Sequence, residues 1–381
     1  MNRTENQEDI CTHYADEYDK YLGAIVPPIF QNTLFTHKTE NHGYSYTRAN
    51  NPTIEIAERK IAALEGGESA ACFSSGVAAI SAAILHWLAK DDHLICVSSV
   101  YPRTRALIHS YLDKFGITAT FVPGHSIEEF EHAIQPNTKL IYLESPSSII
   151  FAMQDLAAVA ELAQTHGIVT MIDNTWATPL FQNPLHLGID VAIHSATKYL
   201  GGHSDILGGV VVGRADAIKG IVERERGLLG AIMDPHQAWL LIRSLRTLPV
   251  RMKQHQENAR KMAAFLETHA AVSQVFYPGL PSHPQYEIGR KQMSGFAGVM
   301  SFIVKASYEQ LDKMLHGLMM YEMGASWGGF ESLISGIAID EPLSVYTGLP
   351  VGTPIIRVSV GLENIDSLIA DLHQGLDRLL L

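Results

Sequence analysis

Residues 173–205 read DNTWATPLFQNPLHLGIDVAIHSATKYLGGHSD, a stretch in which one apolar run ends on Asp173 and the next ends shortly before Lys198. IVTMID (168–173) and DVAIH (190–194) have the length and apolar content of buried strands. If both belong to one parallel sheet, Asp173 and Lys198 emerge together at its carboxyl edge, where α/β sheets usually bind ligands. A carboxylate and an amine so placed suit pyridoxal phosphate. That cofactor needs a lysine to hold its aldehyde and an acid to keep its pyridine nitrogen protonated, so that the ring draws electrons. Ser195 and Thr197 shortly precede Lys198, and their hydroxyls can donate to the cofactor phosphate. An isolated SxxK tetrapeptide after a strand is more often a surface lysine, so the surrounding chain must decide.

That surrounding sequence is specific. IHSATKYLGGHSD, with the upstream DNTWATP, resembles the lysine signature of the Cys/Met-metabolism pyridoxal phosphate enzymes, the transsulfuration family. The resemblance runs from VPPIFQNTLF at residue 26 to VGLENIDSLIADL near the end. It implies an α/β fold of the aspartate aminotransferase type (PLP fold type I), with a mainly parallel large-domain sheet and a smaller C-terminal α/β domain.

Composition is compatible with this. The chain has 381 residues, 46% hydrophobic and 18% charged, enough for two domains with a sizeable core. A net charge of −12 without clustered Lys and Arg argues against nucleic acid as a partner. Cys11, Cys72 and Cys96 are odd in number and lack CxxC spacing, so neither a disulfide framework nor a zinc site is expected. The polar start MNRTENQEDICTHYADEYDK lacks a signal-type apolar core, and AAISAAILHWLA is too short to span a bilayer. A cytoplasmic protein with no membrane partner is the expectation. The 18 histidines form no HExxH or comparable pattern, and no metal is expected.

Along the chain, residues 1–55 contain loop signals (VPP, ENHGY, ANNPT) and read as an extended arm that must pack on something. Residues 56–245 alternate apolar strands, among them HLICVSS, KLIYLES, GIVTMID and DVAIHS, with helical patterns such as DLAAVAELAQTH. This predicts a cofactor-binding parallel sheet covered by helices on both faces. Residues 246–381 open on a long amphipathic helix and continue through VSQVFYPG, GVMSFIV and IIRVSVGL to a closing helix, a smaller C-terminal domain.

Further site residues follow partly from chemistry and partly from the resemblance. FSSGVAAISAAI sets Gly76 and Val77 at the start of a helix whose first amides can face a phosphate, and it matches the family's SGMAAI motif with Val77 in place of Met. YTRANNPT resembles the family signature in which a tyrosine and an arginine reach the cofactor phosphate of a neighbouring subunit. The resemblance assigns those tasks to Tyr46 and Arg48, whose guanidinium can fork onto phosphate oxygens. It also implies an arm acting in trans and a homotetramer built as a dimer of dimers. Tyr101, after the strand LICVSS, is similar to the tyrosine that stacks on the cofactor ring and can assist proton transfer. Arg357, inside the strand IIRVSVG, needs an anionic partner and matches the arginine that binds the substrate α-carboxylate.

GASWG (324–328) formally satisfies the hydrolase elbow GxSxG, with Asp340 and His373 downstream, and SATK satisfies SxxK. No strong strand precedes the first, and no KTG accompanies the second. Instead, Ser326 and Trp327 in ASWGGFESL resemble the substrate pocket of bacterial cystathionine β-lyases, where the γ-enzymes carry SLGG. Ala325 stands where cystathionine γ-enzymes usually have glutamate, and ESPSSIIF resembles the β-lyase ESPGSI. YPRT lacks the cysteine of methionine γ-lyases. YTRANNPT and HSATKYLGGHSD lean toward γ-synthases and γ-lyases. The expected activity is β-elimination of L-cystathionine to homocysteine, pyruvate and ammonia, within methionine biosynthesis. A γ-lyase, a γ-synthase or a methionine γ-lyase acting on a related sulfur amino acid remains open, as does a non-catalytic sensor of the same fold.

Overall fold

The computed structural model describes residues 6–40, 42–340, 344–345 and 347–380. Its larger sheet has seven strands: β1 (Ser69–Phe73), β2 (His93–Val97), β3 (Thr118–Val122), β4 (Thr138–Glu144), β5 (Val169–Asp173), β6 (Val191–Ser195) and β7 (Gly209–Gly213), in the spatial order β1-β7-β6-β5-β4-β2-β3. Strands β3, β2, β4, β5 and β6 pair in parallel, whereas β7 runs antiparallel to both β6 and β1. β2 and β7 are buried along their whole length, which explains why such segments read as continuous apolar runs rather than alternating ones.

Helices start and stop where local chemistry tells them to. The helices used below are α1 (Gln7–His13), α2 (Pro52–Glu65), α3 (Gly76–Trp87), α4 (Pro102–Ala106), α5 (Leu156–His166), α6 (Pro235–Leu245), α7 (Leu248–Thr268) and α8 (Ile365–Asp377). At the start of α2, the Asn51 side chain accepts the Thr53 N–H and Pro52 occupies the first turn, where its missing N–H costs nothing. Gly66 ends that helix in the left-handed region at φ +75°. Asp155 caps α5 through the Ala158 N–H, and Gly167 terminates it.

The arm divides in two. Ile10 and Cys11 of α1 are buried, and Asp16 forms an ion pair at 3.3 Å with the fully buried Lys60 of α2, so residues 7–21 are fastened to the body. The following segment is open: Leu22, Ile25 and Leu34 are 102%, 71% and 63% exposed. Helix α2 already begins at Pro52, inside the stretch the sequence suggests as arm.

The second sheet comprises β8 (Val272–Phe276), β9 (Val299–Val304), β10 (Glu322–Met323), β11 (Leu333–Ala338) and β12 (Pro354–Ser359), ordered β10-β11-β12-β9-β8. Only β10 and β11 pair in parallel; the other three pairs are antiparallel. Apolar runs in the sequence mark strands but carry no direction, so this antiparallel character was not readable from them. No helix among the described residues is long and apolar enough to cross a membrane.

Candidate active site

Asp173 is the last residue of β5 and pairs in register with Ile193 of β6, two residues before Ser195. Lys198 follows Ser195 by one short turn, closed by the Lys198 N–H on the Ser195 carbonyl at 3.1 Å. This brings the carboxylate and the amine to one sheet edge. The turn is held from behind: the Tyr199 carbonyl accepts from Arg251 at 2.7 Å, and the buried Tyr199 hydroxyl accepts the Gly298 N–H at 2.7 Å.

The lysine amine faces the second domain. Its Nζ donates to Ser326 Oγ at 2.7 Å and lies 5.4 Å from the centre of the Trp327 ring, which itself packs against Tyr199. Gly328 makes this approach possible. A Cβ there would sit 2.7 Å from the Tyr199 nitrogen and 2.9 Å from the Lys198 carbonyl carbon, and its φ is +88°. Arg357 projects from β12, where its Nη2 donates to the Ala325 carbonyl at 2.7 Å; among the described residues no carboxylate pairs with it. Burial, then the positive charge of Arg357, push the Lys198 amine down to about 8, against the pull of Asp173. A lysine tuned this way is neutral in a useful fraction near pH 8 and can act as nucleophile and base.

Asp173 is 9% exposed, and its recorded hydrogen bonds both fall on Oδ1, from the Thr175 N–H at 3.0 Å and from the Thr175 hydroxyl. Burial pushes its carboxyl up, while those bonds and the charges of His194 and Lys198 hold it down. Thr175 Oγ1 also accepts the Ser195 N–H at 2.8 Å, linking the acid to the turn before the lysine.

The first turn of α3 lies beside Ser195. Ser75 caps that helix on the Ala78 N–H, leaving the amides of Gly76 and Val77 available. A Cβ on Gly76 would lie 2.8 Å from Ser195 Oγ, so the glycine brings the helix start and that hydroxyl together. Thr197 Oγ1 accepts the Gly208 N–H at 3.0 Å. A helix N-terminus with adjacent hydroxyls, an amine, and a buried carboxylate lacking a cationic hydrogen-bond partner fit an aldehyde cofactor that carries a phosphate and a basic ring nitrogen.

Tyr101 is the N-cap residue of α4 and is 41% exposed; burial lowers the basicity of Arg357, and the Tyr101 phenol opposes that shift. Tyr46 and Arg48 pair with each other: Arg48 donates to the Gly227 carbonyl and lies 5.6 Å from the centre of the Tyr46 ring, and among the described residues neither shares a hydrogen bond or ion pair with Lys198 or Asp173.

Three features escaped the sequence reading. Glu144 ends β4 directly beside Asp173 in the sheet register, and its position at the end of KLIYLE was the available signal. Behind β6, His194 Nε2 meets Glu65 at 2.7 Å with both side chains fully buried. Folding also gathers His269, His373 and Asp377, which are far from any recognised ligand pattern in the sequence. There His269 Nδ1 accepts the Ala271 N–H at 3.2 Å, which puts the proton on Nε2, facing His373 at 3.1 Å and Asp377 at 3.3 Å. This cluster is therefore satisfied by its own hydrogen bonds, since a metal-binding Nε2 needs its proton on the other nitrogen.

Comparison with known proteins agrees with the geometry. The sequence profile of the family described as Cys/Met metabolism PLP-dependent enzyme matches residues 8–377. An L-methionine gamma-lyase from Porphyromonas gingivalis is 41% identical, with 94% of each chain covered. A cystathionine gamma-lyase from Bacillus subtilis is 39% identical over 98% of this chain and 100% of its own, and a cystathionine beta-lyase from Lactococcus lactis is 38% identical over 96% and 97%. The crystal structure of metB from Corynebacterium glutamicum superposes with a TM-score of 0.93 at 37% identity, covering 99% of both chains. The chain belongs to the Cys/Met metabolism PLP-dependent enzymes, as a lyase whose cofactor is pyridoxal phosphate.

Proposed function

We propose that this enzyme cleaves a carbon–sulfur bond by β-elimination, with L-cystathionine as substrate and homocysteine, pyruvate and ammonia as products. The observation that carries this reading is the confinement of Lys198 Nζ between Ser326 Oγ and the Trp327 ring. β-Elimination asks the lysine for one deprotonation, at Cα. γ-Elimination adds a second, at Cβ, and so favours an amine free to swing between two carbons.

When bound, pyridoxal phosphate supplies an aldehyde that captures the substrate amine and a ring that accepts the electron pair left at Cα. Lys198, Asp173, Ser195, Thr197 and the amides of Gly76 and Val77 would hold it, with Tyr101 lining the site, and Asp173 would keep its ring nitrogen protonated. Arg357 binds the substrate carboxylate as a planar double donor, and Ser326 and Trp327 line the substrate side. Lys198 takes the Cα proton, and Lys198 or Tyr101 returns one to the departing sulfur.

Tyr46 and Arg48 complete the phosphate site of a neighbouring subunit in this reading, within a homotetramer made of two dimers. Support comes from the exposed Tyr46 ring and from the exposed apolar residues that precede it. Arg48→Ala is expected to weaken cofactor retention; retention equal to wild type refutes the trans assignment.

γ-Elimination is the second reading, favoured by the methionine and cystathionine gamma-lyases among the similar proteins. The deciding experiment incubates the holoenzyme with L-cystathionine and identifies both products. Pyruvate with homocysteine supports β-elimination, whereas 2-oxobutyrate with cysteine overturns it.

A further inference from the structure

The segment ESPSSIIF (144–151), informative above only as a mark of kinship, bends sharply at the edge of the site. Ile149 and Phe151 adopt φ values of +68° and +52°, a conformation that β-branched and bulky side chains rarely accept. Such positions persist only where surrounding contacts over-determine them. Glu144, at the head of this segment, ties it to the loop that carries Tyr101. Glu144 Oε2 accepts the Tyr101 N–H at 2.7 Å, and Glu144 Oε1 accepts the Ser148 hydroxyl at 2.7 Å. Two further bonds join the same loops, from the Ser148 N–H to the Ser99 carbonyl at 3.0 Å and from Ser99 Oγ to Ser147 Oγ at 2.7 Å. Glu144 is 8% exposed and is a sheet neighbour of Asp173.

We infer that Glu144 is a positioning residue: by bridging Ser148 and the Tyr101 backbone, it fixes where the Tyr101 ring lies over the cofactor. The inference rests on the reading of Tyr101 as the ring partner. Two carboxyl groups side by side in a dry sheet edge do not both ionise readily. Burial and the charge of Asp173 push Glu144 up to about 8, leaving Asp173 as the anionic member that faces the ring nitrogen. Glu144 is then free to serve as scaffold, with its oxygens committed to the two loops rather than to the cofactor.

The test uses reconstituted holoenzyme and reads the circular dichroism of the cofactor's visible band, a measure of ring orientation, together with the cofactor dissociation constant. Glu144→Ala is expected to diminish the band and weaken cofactor binding about tenfold, the equivalent of about one lost hydrogen bond. Glu144→Gln is expected to restore most of the signal, because its oxygen can take the Tyr101 N–H while its amide donates to Ser148. Adding Glu144→Ala to Tyr101→Ala should cause no further loss, because Glu144 acts through the Tyr101 ring. A wild-type band in Glu144→Ala, or losses that simply add, overturns the inference. If Tyr101→Ala alone leaves the band unchanged, the reading of Tyr101 fails and the inference falls with it; if Tyr101→Ala matters and Glu144→Ala does not, only the positioning role fails. Should Glu144→Ala not fold, Glu144→Asp, which withdraws the acceptor by one methylene, is expected to diminish the band, and an intact band there is equally fatal. None of these readouts depends on which carbon–sulfur bond the enzyme breaks.

Discussion

The depressed basicity of Lys198 can be measured without any substrate. Apoenzyme captures pyridoxal phosphate only through a neutral amine. Lowering the lysine from 10.5 to about 8 raises the neutral fraction at pH 7 about 300-fold, from roughly 0.03% to roughly 9%. Stopped-flow mixing of apoenzyme with cofactor, followed at the visible band from pH 6.5 to 10, should show a rate rising tenfold per pH unit and levelling off near pH 8. Keeping above pH 6.5 holds the phosphate mostly in its dianionic form. Arg357 is the second cause of the depression after burial, so Arg357→Met should move the plateau to higher pH. Because Arg357 is assigned to the substrate and not to the cofactor, this assay isolates its electrostatic effect from its binding role. A capture rate that keeps climbing beyond pH 9.5 in the wild type would refute the tuning argument.

Gly328→Ala forces a Cβ to 2.7 Å from the Tyr199 nitrogen in a left-handed backbone, and urea denaturation should show a loss of about 2 kcal/mol or more. His194→Ala removes one hydrogen-bond partner of the fully buried Glu65 carboxylate, which keeps the Asn174 side-chain amide. Its expected cost is about 1–3 kcal/mol in the same assay, with part recovered in the double variant carrying Glu65→Gln. Glu144 has a folded-state value near 8, above its unfolded 4.5, so its contribution to stability is fully present below pH 4.5 and is lost as pH rises through 8. Glu144→Gln, neutral at every pH, should flatten the decline between pH 5 and 8 in a denaturation series; an unchanged slope contradicts the assignment.

Much of this protein was legible in its sequence because the relevant groups sit at strand ends. Asp173, Ser195 and Lys198 follow apolar runs, and a parallel sheet places such termini at one edge whatever the connections between them. Gly76 was legible too, since a small residue after a capping serine and before an alanine-rich run is a local pattern. Folding decided the rest, because the groups concerned come from distant parts of the chain. Ser326 and Trp327 meet Lys198 across 128 and 129 positions only when the second sheet packs on the first, and Gly328 is needed there for close contact as well as for its left-handed backbone. Strand direction in the second sheet, the Glu144–Asp173 neighbourhood and the His194–Glu65 pair likewise depend on register and packing. Sequence alone determined which residues could do chemistry and at which edge; tertiary structure decided which of them touch, how dry their surroundings are, and so how acidic or basic each one becomes.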